Sequence, residues 1–164
     1  MNNAKSNKFE FLKRRNRRNN LIKKLSNFTS VTYESLMEAD INDLFCKKVF
    51  DLLSTLTNKV SIKEENYMDN IKTSIQLIEK TLKNSNLSNS SSRVLLFRDE
   101  EIEAVQININ ELYNHLNKIL DITKFTIGYA DFILVSDNLD FGICIERTEY
   151  QYEMYIWGVG ELEN

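Results

Sequence analysis

Proline is absent from this 164-residue chain, and glycine is nearly so, with four in all. All four glycines, Gly128, Gly142, Gly158 and Gly160, fall in the last quarter. The first 127 residues therefore cannot supply a glycine-rich phosphate loop or a dinucleotide-binding turn, both of which need backbone that approaches a phosphate closely. The absence of proline also excludes a proline-rich linker. One histidine, His115, and two distant cysteines, Cys46 and Cys144, offer no metal-ligand spacing. Both thiols read as buried and reduced. No apolar run approaches the length that crosses a bilayer. The basic N-terminus is not followed by an apolar stretch and a small-residue cleavage site, so we expect a cytoplasmic protein without a secretory signal.

What is present is the composition of a globular domain: 42% hydrophobic and 27% charged residues, in a length suited to one core. The net charge of −3 conceals a polarity. Residues 1–24 carry nine basic side chains against Glu10, whereas residues 131–164 carry eight acidic side chains against Arg147. We read residues 1–27 as a basic, partly ordered arm and 28–164 as a single α+β domain, with an exposed Asn/Ser loop at 84–92.

Two segments have strong helical periodicity. Asp40 is placed to cap a helix over 40–58, with Ile41, Leu44, Phe45, Val49, Leu52, Leu53 and Leu56 inward. Ser61 and Glu64 suggest a capping box for a second helix over 62–83, with Met68, Ile71, Ile75, Ile78 and Leu82 inward. The short connection predicts an antiparallel helical hairpin. Beyond the Asn/Ser tract, Arg93–Arg98 and Ala104–Ile109 read as strands, and Asn110 as the cap of a helix to Leu120. Phe132–Ser136, Phe141–Arg147 and Tyr150–Trp157 then read as three more strands. A two-residue turn at Thr148-Glu149 would set Ile145 opposite Tyr152 and Ile143 opposite Met154. One face of that sheet would be wholly apolar and the other polar, although Thr-Glu is a poor type I′ turn, which leaves a longer loop with a bulge open. The expected fold is thus α+β: N-terminal helices, then an antiparallel sheet with one further helix.

Little here suits catalysis. His115 sits at the edge of a helical stripe, with no nucleophile or orienting group that the sequence places beside it. The scattered carboxylates of the C-terminal region read as a solvated face. We expect no catalytic residue, no metal and no cofactor. Binding is the better reading. Asp137, Asp140, Glu146, Glu149, Glu153, Tyr155 and Trp157 would give an acidic, aromatic face that steers and anchors a cationic protein partner. The alternative is a nucleic-acid-associated regulator of phage or mobile-element type, in which Lys13, Arg14, Arg15, Arg17 and Arg18 contact phosphates.

The segments Ile127-Gly128-Tyr129-Ala130-Asp131-Phe132-Ile133-Leu134-Val135, Asp140-Phe141-Gly142-Ile143-Cys144-Ile145-Glu146-Arg147 and Tyr155-Ile156-Trp157-Gly158 resemble the C-terminal hairpins of small bacterial proteins of the toxin-immunity type. The resemblance covers about 35 of the 164 residues. It implies neutralisation of a cognate toxin by tight binding, with the acidic face occupying a basic cleft.

Overall fold

The computed structural model describes residues 2–84, 91–98 and 101–159, with side chains described from Lys8 onward except at residues 84, 91 and 98. Its elements are helix α1 (Asn2–Lys24), α2 (Ala39–Leu53), strand β1 (Val60–Ile62), α3 (Tyr67–Asn84), β2 (Ser91–Arg98) and β3 (Glu101–Asn108). Helices α4 (Ile109–Asn114) and α5 (Leu116–Ile122) follow, then β4 (Phe132–Ser136), β5 (Gly142–Arg147) and β6 (Tyr152–Trp157). The strands make one six-stranded sheet in the order β1-β6-β5-β4-β2-β3, and every neighbouring pair is antiparallel. The fold is α+β.

The sheet is covered on both faces. On one face, Val94, Leu96, Val105, Ile107, Phe132, Leu134, Ile143, Ile145, Tyr152 and Met154 pack against α1, α3, α4 and α5. On the other, Leu95, Ala104, Ile133, Val135 and Cys144 pack against Phe45, Cys46 and Val49 of α2. The expected polar face is thus limited to Glu146 and Glu153 of β5 and β6; where Leu95, Ala104, Ile133, Val135 and Cys144 lie, that face is apolar and covered by α2. The unbroken apolar run Phe132–Val135 carries the signal, because a strand buried on both sides has no reason to alternate. The expected helical hairpin is corrected as well. Helices α2 and α3 lie on opposite faces, since β1 intervenes and takes the sheet edge beside β6. Ser61 belongs to that strand, and it is Asn66 that caps α3, its Oδ1 accepting the Asp69 N–H at 3.0 Å. The outward side chains follow from these placements: Ile41 and Leu44 of α2 and Met68 of α3 are exposed rather than inward.

The helix expected from Asn110 to Leu120 is two short helices broken at His115, whose φ of −124° leaves the helical region. Asn108 is the true cap, accepting from the Asn110 and Glu111 N–H groups. Leu112, Leu116, Ile119 and Leu120 are buried, whereas Tyr113 is exposed. In the last hairpin the register is displaced by two residues. Ile145 faces Met154 and Ile143 faces Ile156, closed by a four-residue connection, Thr148–Gln151. Thr148 N–H donates to the Gln151 carbonyl at 2.8 Å and so closes the loop. A shift of two leaves each side chain on its expected face.

The N-terminal segment read as an arm is helix α1, and its second half is built into the body. Leu21 and Leu25 are fully buried, and Phe28 continues the same cluster. The Asn/Ser tract 84–92 falls mostly outside the described residues; Ser91 and Ser92 already belong to β2.

Candidate functional site

The seven acidic and aromatic residues expected to form one binding face are distributed over separate places. Asp137 and Asp140 lie in the β4–β5 turn. Arg93 Nε donates to Asp137 at 2.5 Å, and Asp140 accepts from Ser136 Oγ and Asn138 Nδ2, which hold its carboxyl below the usual range. Trp157 is at the same end; its Nε1 donates to the Leu139 carbonyl at 3.1 Å. The indole fills the space where a Cβ on Gly142 would sit, which explains the glycine there.

Glu146, Glu153 and Tyr155 are brought together on one sheet face. The two carboxylates stand directly opposite across β5 and β6, an arrangement that repels unless compensated. Lys59 compensates it, with Nζ 2.7 Å from both Glu153 oxygens, and the Tyr155 hydroxyl donates to Glu153 at 3.0 Å. The Lys59 ammonium keeps the Glu153 carboxyl below its ordinary value. Glu153 is buried and its carboxylate is taken up by Lys59 and Tyr155, while Glu146 and Tyr155 stay partly exposed beside it.

Glu149 is at the opposite end of the hairpin, in the β5–β6 loop, and there the surface is different. Glu64, Glu65, Asn66, Tyr67, Arg147, Glu149 and Tyr150 border a cleft of about 450 Å³. Tyr150 and Tyr129 are each 77% exposed, Ile127 is 68% exposed, and Tyr67 is partly exposed. Of the four tyrosines between Tyr129 and Trp157, therefore, two belong to the surface, while Tyr152 is in the core and Tyr155 in the Glu153 cluster.

This end is rigidly assembled. The Arg147 guanidinium donates from Nη1 to the Gly128 carbonyl at 2.5 Å and to the Tyr67 hydroxyl at 3.4 Å. The Arg147 N–H donates to Asp131 Oδ1 at 3.0 Å, while burial raises the Asp131 carboxyl above its ordinary value. Tyr152 donates its hydroxyl to Tyr67 at 3.1 Å. Gly128 has φ +68°, and a Cβ there would lie 1.1 Å from the Tyr67 hydroxyl oxygen, so only glycine fits. Lys124 covers the Tyr129 ring at 4.9 Å. The cleft's own lining thus holds three carboxylates, Glu64, Glu65 and Glu149, against Arg147, with Tyr67 and Tyr150 as aromatic walls. Composition showed the tyrosines and acids, but Glu64 and Glu65 come from the β1–α3 connection and Tyr67 from the start of α3, and no local pattern links them to Tyr150.

The basic residues of α1 are largely committed. Arg14 bonds Asp43 through two nitrogens and Glu103 through Nε at 3.0 Å. Arg18 bonds both oxygens of buried Glu103, Arg17 pairs with Glu101, and Lys13 pairs with Glu10. Arg15 alone of the five has no ion-pair partner among the described residues. His115 lies edge-on to Phe28, with ring centroids 5.3 Å apart. Cys46 and Cys144 are buried and free, and burial pushes the Cys46 thiol up to about 11. Among the described residues no group of three or more His, Cys, Asp or Glu is arranged to hold a metal, and no helix is long and apolar enough to cross a membrane.

The molecule is an α+β protein whose most exposed aromatic surface is an acidic cleft at one end of a six-stranded antiparallel sheet. The chain belongs to the YxiF protein family, whose match covers residues 21–157. It is 37% identical over 68 residues to the "Uncharacterized protein YxiF" of Bacillus subtilis (strain 168). That similarity covers 39% of this chain and 44% of the relative, so less than half of the curated relative is spanned. No solved structure matches the chain.

Proposed function

We propose that this protein is a non-catalytic, cytoplasmic binding protein of the immunity or antitoxin type, which captures a cationic protein partner at its acidic, aromatic end. The observation that carries the reading is the cleft bordered by Glu64, Glu65, Tyr67, Glu149 and Tyr150, with exposed Tyr129 beside it. Tyrosine gives large contact area at small entropic cost, and residues of this type dominate binding energy at interface centres. The carboxylates add steering toward a basic partner. Of the expected anchors, Glu149 belongs to this surface. Asp137 and Asp140 would serve only a partner reaching the other end of the hairpin. Commitment of Arg14, Arg17 and Arg18 to Asp43, Glu101 and Glu103 weighs against the alternative in which α1 grips nucleic acid.

The test is affinity capture of the tagged protein from its native lysate, with and without nuclease, alongside Tyr150→Ala and Glu149→Lys. Wild type retains one stoichiometric protein partner after nuclease. Each variant loses at least about 2 kcal/mol of affinity, roughly 30-fold, with an unchanged thermal midpoint. A partner held equally well by both variants, or one lost with the nucleic acid, removes the proposal.

A further inference from the structure

Helix α1 extends well beyond its apolar contacts with the body. Its 23 residues span about 35 Å. Apolar anchoring begins only at Leu21; upstream, contact with the body rests on the ion pairs of Arg14, Arg17 and Arg18. Every side chain from Lys8 to Lys13 is exposed, including Phe9, Leu12 and Phe11, the last at 64%. A helical stretch this short and unsupported is marginal in water, and its phenylalanines gain from cover.

Beside it runs a cleft of about 540 Å³ between α1 and the segment that leads into α2. Phe11 and Arg15 form one wall, Tyr33, Glu34 and Glu38 the other, and buried Leu36 lies between them with half-buried Met37. Arg14 and Arg18 also reach the cleft, but their charge is matched by Asp43 and Glu103. Among the described residues no ion pair crosses the cleft: Arg15, Glu34 and Glu38 have none. One wall therefore offers an aromatic ring and an unmatched cation, the other an aromatic ring and unmatched carboxylates. A surface of that kind is complementary to itself under a two-fold rotation, as an isologous interface requires.

We propose that this cleft is a homodimer interface, in which α1 of each protomer lies over the cleft of its partner, Phe11 packs beside the opposite Tyr33, and Arg15 faces the opposite Glu34 and Glu38. Two copies of each contact form at once. The surface is separate from the acidic end that holds Glu149, so the dimer and the captured partner stand or fall independently.

Light scattering on the full chain tests this by charge exchange. Wild type has twice the 19.3 kDa chain mass in the micromolar range. Arg15→Glu alone and Glu34→Lys/Glu38→Lys alone each bring like charges together and run as monomers with unchanged helix content. Mixing the two variants restores the doubled mass, because every Arg15 or its replacement then meets an opposite charge. A monomeric wild type overturns the proposal. So do variants that keep the dimer mass, or a mixture that stays monomeric.

Discussion

At the scale of single residues, the ionisable groups with the largest consequences hold backbone and helices in place. Glu103 is buried between Arg14 and Arg18, and removing one partner of such a group leaves charge uncompensated. Glu103→Gln should cost about 3 kcal/mol or more, read as a fall in the urea midpoint. Glu111 makes a second case. Burial alone would raise its carboxyl, but donors from Ser30 and Thr29, hydroxyl and N–H alike, outweigh that and bring it down from 4.5 to about 2. A depressed carboxyl contributes stability above its unfolded value and loses it as pH falls. Stability from this group is therefore complete above pH 4.5 and declines between 4.5 and about 2. Glu111→Gln should flatten the acid limb of thermal midpoint against pH over that window. The cysteines make a simpler case: buried thiols react slowly, so thiol reagent should modify neither Cys46 nor Cys144 in the native protein and both in denaturant.

At the scale of elements, the edge strand β3 shows how one side chain stands in for a missing neighbour. Fully buried Asn42 of α2 donates to the Ile102 carbonyl at 2.7 Å and accepts the Ala104 N–H at 2.9 Å. A single bridge between Leu36 and Val105 closes the next stretch of the edge. Open edges invite pairing with other chains, and this one is sealed by an amide and a short segment. Asn42→Leu leaves a buried N–H and C=O unpaired and should cost about 2–4 kcal/mol, measured by chemical denaturation. Periodicity found α2 and set Phe45 and Val49 inward, but it paired the helix with α3 rather than the sheet, counted exposed Ile41 and Leu44 as core and passed over buried Asn42. A polar side chain reads as inward only when its hydrogen-bond partners are known. The strands fared better. Phe132–Ser136 is β4 without adjustment, and β5 and β6 differ from expectation by one and two residues at their starts. Their register missed by two because the connection is longer than Thr-Glu, a matter of turn closure that hydrophobic alternation does not encode.

At the scale of the whole molecule, α1 is a structural member. Removing residues 1–24 deletes Leu21 and both arginine partners of Glu103, so the truncated chain should melt far lower than wild type or fail to fold. Removing residues 1–10 should leave the melting temperature nearly unchanged. Circular dichroism distinguishes the two. The α+β class, the two main helices and the strands of the C-terminal half were all legible from composition and local period. Those properties depend on residues within a few positions of one another. Which face each helix covers, that β1 separates α2 from α3, and that Arg14 and Arg18 meet Glu103 across more than eighty residues are long-range outcomes. The same holds for the proposed binding surface. Of the residues singled out from the sequence, Glu149 falls there, and only chain closure set Glu64, Glu65, Tyr67 and Tyr150 around it and folded Glu153 inward. Local sequence sets each residue's chemistry, whereas the competition among all apolar surfaces for burial decides which of those residues still faces solvent.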